Sequence, residues 1–151
     1  MIMRSKQSAS RVRRNSGFTL TEIMIVIAII ALLTVIAYPS FIQSVRKSHR
    51  TDAHTAMTRA TNNQERFFAT NSTYTTDATK LGLTGDAGTA YSDNGHYVMT
   101  VTAGATGIGT SYVVSASAAP GDIQEGDTGC TTLSLDSLGR RIPDPTTSRC
   151  W

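Results

Sequence analysis

The chain has 151 residues and a formal net charge of +3, from 14 Lys and Arg against 11 Asp and Glu. This length suffices for one modest domain plus a membrane anchor. Five of the basic residues and none of the acidic ones lie in residues 1–17, so the remainder carries a formal side-chain charge of −2. The bulk charge of that remainder gives no support to nucleic-acid binding.

The most informative segment is the hexapeptide at residues 17–22, which precedes an apolar run over residues 23–38. Its carboxylate, Glu22, stands inside a stretch of membrane length. A carboxylate at the centre of a membrane helix costs about 2.5–3.5 kcal/mol, and one near an end costs less. Cleavage between Gly17 and Phe18 would create an α-amino group one helical turn from Glu22, within the same chain or a neighbouring copy.

The basic leader, Gly17, Phe18 and Glu22 together resemble the class III signal of type IV prepilins. The resemblance implies that a prepilin peptidase removes residues 1–17 and methylates Phe18. The alternatives are a secretory signal or a plain anchor. A secretory signal is cleaved after its apolar region at an A-x-A-like site, whereas Tyr38 and Pro39 follow here. A plain anchor leaves Glu22 unexplained.

Residues 18–38 are long enough to cross a membrane, because 21 helical residues extend about 31 Å. The leader's positive charges predict a cytoplasmic N-terminus and a periplasmic head before assembly. Pro39 removes one helical hydrogen bond and predicts a kink or a local loosening. The resemblance implies local unwinding at Pro39 in the assembled filament.

The apolar pattern continues over residues 39–70 at mostly three- and four-residue steps, interrupted by Gln64. We therefore predict one long helix over about 18–70, with an amphipathic second half packed on a small domain. Asn71 is the predicted helix terminator, because it tolerates the left-handed conformation. The apolar stripe comprises Phe41, Ile42, Val45, His49, Ala53, Ala56, Met57, Ala60, Phe67 and Phe68. The polar cover of this part of the helix is assigned to Arg46, Lys47, Arg50, Arg59, Glu65 and Arg66.

Residues 71–151 are predicted to form a globular β-sheet head. A long surface loop is expected over 76–95, since these residues are rich in Gly, Thr, Asp and Ala. Strands are predicted at 96–102, 112–118 and 132–137, with a possible short strand at 140–142. The expected fold class is α+β: a long N-terminal helix on an antiparallel meander of three or four strands, with a disulfide-closed tail.

The helix exit at residues 64–75 and the tail around Cys130 and Cys150 are similar to those of PilE-like minor pilins, in the ComP-related group. The resemblance implies a structural, non-enzymatic subunit of a type IV pilus. Such a subunit is assembled with other pilins by machinery in the inner membrane and becomes part of the extracellular pilus. Its filaments serve twitching motility, adhesion or DNA uptake.

The two cysteines, Cys130 and Cys150, follow the anchor and would lie in an oxidising compartment, where a disulfide persists. The loop of about 20 residues that they would close is worth about 3 kcal/mol. Two free thiols or half of a metal site are the alternatives. No His lies near either Cys in sequence, and the spacing matches no zinc motif, so we predict a disulfide.

No catalytic set, cofactor site or metal site is predicted. His49 and His54 are five residues apart, which is a poor spacing for one helical face, so both are interpreted as solvated helix positions. His96 has no ligand partner nearby in sequence. The acidic residues of the loop at 122–127 could hold Ca²⁺, but their spacing fits no EF-hand, and a solvated loop is the simpler interpretation. A calcium-binding loop would favour a type II secretion pseudopilin, which is one alternative function.

Arg140, Arg141 and Arg149 form a local group of positive charges in or beside the Cys130–Cys150 loop. Clustered arginines can bind phosphates, and in a ComP-like receptor this region helps to contact DNA. The second alternative function is therefore a DNA-binding pilin receptor, although a solvated face also explains these arginines.

Overall fold

The computed structural model describes residues 17–85 and 89–151. Within them, one long α-helix and a six-stranded antiparallel sheet confirm the predicted α+β pilin fold, and Cys130 and Cys150 form the predicted disulfide. The predicted leader lies almost wholly outside the described residues. The elements are α1 (Leu20–Asn71), β1 (Thr84–Gly85), β2 (Ala90–Tyr91), β3 (Tyr97–Ala103), β4 (Tyr112–Ala118), β5 (Thr132–Asp136) and β6 (Arg141–Ile142).

Helix α1 begins two residues later than predicted, because Thr19 acts as its N-cap. The Thr19 hydroxyl accepts a hydrogen bond from the Glu22 backbone N–H at 3.2 Å. A Thr followed three residues later by Glu is the capping-box sequence, which satisfies amides that the first turn leaves unpaired. Glu22 also lies in the first turn, where the helix dipole favours a negative charge.

The chain divides into two compact units, and the first of them ends at Tyr38. Its helical residues, 20–38, are exposed throughout although nearly all of them are apolar. By length and composition, the part of helix α1 near the N-terminus could cross a membrane. Pro39 lies inside α1, so the unwinding that the resemblance implies for the filament stays a prediction.

The second unit, Pro39–Trp151, contains the hydrophobic core. Alanines and one methionine on α1 are fully buried, and the small side chains allow the helix to lie close to the sheet. Phe41, which we expected on this face, is 65% exposed. The core comprises Ala53, Ala56, Met57 and Ala60 of α1 with Tyr97, Met99, Val101, Tyr112, Val114, Ala116 and Leu133 of the sheet.

The sheet is a meander in which each strand pairs with its sequence neighbour, in the order β1 to β6. Strands β3 and β4 pair over seven residues, and alternate side chains on both face the core. The prediction of three or four strands was too low. The expected loop at 76–95 holds a 3-10 helix (Ala78–Leu81) and the two-residue strands β1 and β2, which are too short to produce an alternating pattern.

The end of α1 is fixed by Gln64, which interrupts the apolar stripe in sequence but is fully buried. Its amide nitrogen donates to the Thr75 carbonyl at 2.5 Å, and its amide oxygen accepts from the Thr75 N–H at 3.0 Å. The left-handed residue after the helix is Ser72, with φ of 56°, and not Asn71. The Asn71 side chain instead donates to the Phe67 carbonyl at 2.9 Å, which gives a partner to one of the carbonyls in the last turn of the helix.

Candidate processing site and basic C-terminal surface

The predicted cleavage site lies immediately before α1. Gly17, Phe18 and Thr19 are outside the helix and exposed, and the Phe18 side chain is 79% exposed. A peptide bond outside regular structure can enter a protease site without unfolding a helix. Glu22 is one turn into α1 and also exposed. These positions agree with the predicted roles, and the cleavage itself stays a prediction.

The disulfide anchors the C-terminal segment to the loop that precedes β5. Cys130 and Cys150 are both buried, with Cα atoms 5.4 Å apart. The terminal residue, Trp151, packs beside the core, and its indole stacks on the imidazole of His54 with ring centroids 4.7 Å apart. The tail is therefore bonded covalently to the loop before β5 and held against helix α1 by an aromatic contact.

Burial lowers the pKa of the His54 imidazole. The backbone of Cys150 opposes this by raising the pKa, and the charges of Arg141 and Arg50 lower it further. We expected His54 to be a solvated helix position, but it is half-buried beneath the tail. The aromatic residue that covers it is 97 positions away in sequence, so helix periodicity alone could not reveal the contact.

The three predicted arginines do not form one uniform patch. Arg140 donates from Nε to the Asp136 carboxylate at 2.6 Å, so its charge is paired. The Arg141 guanidinium lies over the Trp151 ring, 5.3 Å from its centroid, in a cation–π contact. Arg149 lines a shallow cavity together with Arg46 and Lys47 of α1, and neither Arg140 nor Arg141 lines that cavity.

That cavity carries a concentration of positive charge that was not predicted from the sequence. Within residues 17–85 and 89–151, no carboxylate lies within 4.0 Å of the charged groups of Arg46, Lys47, Arg141 or Arg149. Arg46 and Lys47 were interpreted as polar cover for the helix. The C-terminal segment brings Arg149 to Arg46 and Lys47, so the basic surface comprises Arg46, Lys47 and Arg149.

A buried ion pair supports this basic surface. Arg50 of α1 donates two hydrogen bonds to the Asp127 carboxylate, both at 2.7 Å, and a third to the Arg149 carbonyl, also at 2.7 Å. The Arg50 and Asp127 side chains are only 15% and 8% exposed. Hydrogen bonding to Asp127, opposed by burial, raises the pKa of Arg50. This pair therefore links the helix to both the loop and the tail.

The acidic loop at 122–127 is not the solvated loop that we expected. Asp127 is occupied by Arg50, and Asp122 caps the 3-10 helix Ile123–Gly126 by accepting from the Gln124 N–H at 2.9 Å. Asp122 also contacts His96, with the His96 Nδ1 and the carboxylate 2.9 Å apart. Burial raises the pKa of Asp122, but the bonds with His96 and the Gln124 amide outweigh it and lower the pKa overall.

His96, which seemed to have no ligand partner, therefore has one, and His49 lies beside it. The two imidazoles stack with centroids 3.5 Å apart and planes 11° from parallel. His49 Nδ1 is 4.0 Å from the other Asp122 oxygen. A clue was present in the sequence: Arg46, His49 and Arg50 continue the core-facing stripe of α1, and the acidic loop offers charges to meet them.

Two sequence comparisons show the family of this protein. A family described as "Type IV minor pilin ComP, DNA uptake sequence receptor" matches residues 39–134, which is more than half of the chain. The chain belongs to the type IV minor pilin family. The prokaryotic N-terminal methylation motif matches residues 12–38, which cover Gly17, Phe18 and Glu22.

A curated relative agrees with this family. The "Type IV major pilin protein PilA" of Myxococcus xanthus is 38% identical over 78 residues, or 52% of this chain. The aligned part is 36% of that protein, so the chain spans only about a third of its relative's length. The relative supports a type IV pilin, and the ComP match supports the minor-pilin subgroup.

Proposed function

We propose that this type IV pilin is made as a precursor in the inner membrane, is cleaved by a prepilin peptidase between Gly17 and Phe18 and is methylated on Phe18. In this proposal residues 1–17 are the leader, 18–38 are the transmembrane and later filament-core helix, 39–70 are the amphipathic half of the helix, and 71–151 are the head. The mature chain then joins other pilins in an extracellular filament through the pilus assembly machinery.

The observation that carries this proposal is the exposed apolar surface of residues 20–38. Large side chains there are typically 45–77% exposed, among them Leu20, Ile23 and Ile36. Apolar area removed from water is worth about 25 cal/mol per Å², so this segment needs either lipid or other copies of the same helix. A subunit whose helix passes from a membrane into a filament core satisfies both needs. Open filaments follow from a heterologous interface that does not close on itself.

Glu22 is the residue that we expect to separate membrane insertion from assembly. In the proposal its carboxylate pairs with the α-amine of Phe18, in its own or a neighbouring subunit, and sets the register of the filament. Its position in a capping box offers a purely structural explanation, because Glu there stabilises the first helical turn. The two explanations predict different results for a neutral isostere.

The test compares Glu22→Gln, Glu22→Ala and the neighbouring Thr21→Ala by immunoblotting membranes and sheared filaments. All three variants should insert, since removal of a charge does not hinder insertion. Glu22→Gln keeps a capping-box residue but loses the charge. Both Glu22 variants should be absent from the sheared filaments, whereas Thr21→Ala should be present in them. Normal incorporation of Glu22→Gln would refute charge pairing, and normal incorporation of both Glu22 variants would refute any assembly role.

DNA binding by the head is a second candidate function, which the ComP match favours. The basic surface offers cations without carboxylate partners in the described residues. Arg141, which also has no carboxylate partner there, is held on the Trp151 ring in addition to this surface. Phosphate contacts by Lys and Arg supply most of non-specific DNA affinity. Arg140 is the weakest of the three predicted contacts, because Asp136 pairs with it.

The test is fluorescence anisotropy of labelled duplex DNA with the full chain in a neutral detergent, over a range of salt concentrations. Arg141→Ala and Arg149→Ala should each weaken binding and reduce the slope of log affinity against log salt by about 1. Arg66→Ala is the control, since Arg66 is an exposed arginine on α1 outside the basic surface. Equal effects of all three substitutions, or no DNA binding, would refute this second function and leave the pilus subunit proposal intact.

A further inference from the structure

Three potential metal ligands from three separate elements meet on the surface of the head. His49 comes from α1, His96 directly precedes β3, and Asp122 caps the 3-10 helix Ile123–Gly126. One ligand atom from each lies within 4.8 Å of those of the other two. We propose that His49, His96 and Asp122 form a binding site for a divalent transition metal, with zinc the best fit, which ties α1 to β3 and to the acidic loop.

The donor set selects the class of metal. Two imidazole nitrogens with one carboxylate suit zinc and its neighbours in the first transition row, whereas Ca²⁺ and Mg²⁺ favour oxygen ligands alone. Zinc bonds are about 2.0–2.1 Å long, so ligand atoms around a tetrahedral ion lie about 3.3 Å apart. The His96–Asp122 distance of 2.9 Å and the His49–Asp122 distance of 4.0 Å lie on either side of this spacing.

Only a small rearrangement separates the cluster from a coordinating geometry. Parallel imidazoles cannot both have a metal in their ring planes, so one ring must turn. Turning His49 would break no hydrogen bond at Nδ1, because that atom is buried and has no hydrogen-bond partner among the described residues. Binding a metal would pair this buried polar atom.

The site also has an open side for a water ligand. The three side chains retain 22–25% exposure, and His49 and His96 line a shallow cavity of about 350 Å³. The same cavity is lined by Asp52, whose negative charge favours a cation. Three protein ligands and one water form the usual open zinc site.

The experiment is calorimetric titration of zinc into the full chain in detergent, without a histidine tag and after removal of metals with a chelator. The wild-type chain should bind one equivalent, and its melting temperature should rise with zinc but not with calcium. His96→Gln and Asp122→Asn should each weaken binding at least tenfold. Asn is also a good N-cap, so Asp122→Asn removes a ligand charge and leaves the turn capped.

His54→Gln is the matched control, because His54 is a half-buried histidine on the same helix that lies outside the cluster. It should bind zinc as the wild-type chain does. Melting temperatures in excess chelator show which variants fold. If His96→Gln does not fold, Asp122→Asn decides the result. Failure of the wild-type chain to bind one equivalent, or binding by Asp122→Asn as tight as that of the wild type, would overturn the proposal.

Discussion

Arg50 and Asp127 form a two-bond ion pair, at 2.7 Å for each bond, that joins the long helix to the loop before the disulfide. The pair is almost fully enclosed, and the third Arg50 hydrogen bond holds the carbonyl of Arg149 in the C-terminal tail. One helix residue thus organises two segments that the sequence places 77 and 99 residues away.

Arg50→Ala should destabilise the head by about 3 kcal/mol, because it leaves the Asp127 carboxylate buried without a partner. The measurement is the urea unfolding midpoint of the full chain in detergent. Arg59→Ala is the control, since the Arg59–Asp93 pair has similar bond geometry but side chains that are 35% and 44% exposed. Exposed pairs contribute about 1 kcal/mol or less, and equal losses in the two variants would contradict the importance of burial.

Gln64→Leu tests the fixing of the helix end. The substitution removes both hydrogen bonds to the Thr75 backbone, whose N–H and carbonyl lie in a buried position. Two unsatisfied buried groups should cost about 2–4 kcal/mol of unfolding free energy. Gln43→Leu, at an exposed position of α1, should change it by less than about 0.5 kcal/mol. A Gln64→Leu chain as stable as wild type would show that water replaces these bonds.

The helix, the three longer strands and the disulfide were predictable because their signals are local or compositional. An apolar stripe, alternating residues over 97–103 and 112–118, and two cysteines in an oxidising compartment each point to one structure. The same was true of the processing signal at Gly17 and Phe18, which is contiguous in sequence. Confirmation of the fold therefore rests on patterns that lie within a few residues of one another.

The contacts that shape the surface were not predictable, because they join polar residues far apart in sequence. His49 was interpreted without knowledge of His96 and Asp122, and Arg50 without Asp127. Gln64 illustrates the same difficulty. A polar residue in an apolar stripe is interpreted as a break in the buried face, because its backbone partner, Thr75, is not evident from the sequence. Only the fold decides whether such a residue faces water or a buried partner.

Replacing Cys130 and Cys150 by serine should destabilise the head by about 2–5 kcal/mol. The expected cause is release of the C-terminal segment, which carries Trp151 and Arg149 and is held by the bond. The unfolding midpoint of the full chain in detergent should also fall on reduction, and a non-reducing digest should contain the linked peptides. An unchanged midpoint after complete reduction would show that the tail is held by its non-covalent contacts alone.

Stability should fall as the pH drops through the ordinary histidine range, because burial lowers the pKa of His54. The unfolded chain, with a His54 pKa of about 6.5, then takes up a proton before the folded chain does. The contribution of neutral His54 to stability is present above the unfolded pKa of about 6.5, and it is lost as the pH falls through the lower pKa of the folded chain. Unfolding midpoints at about pH 7.5 and 5.5 should differ less in His54→Gln than in the wild-type chain. An equal difference would contradict the burial of a neutral imidazole.

The most direct test of the central proposal, a processed pilus subunit, is mass spectrometry of the protein taken from sheared filaments. Our account predicts an N-terminal peptide that begins with methylated Phe18, with residues 1–17 absent. An intact leader, or a mature N-terminus downstream of Tyr38, would contradict it.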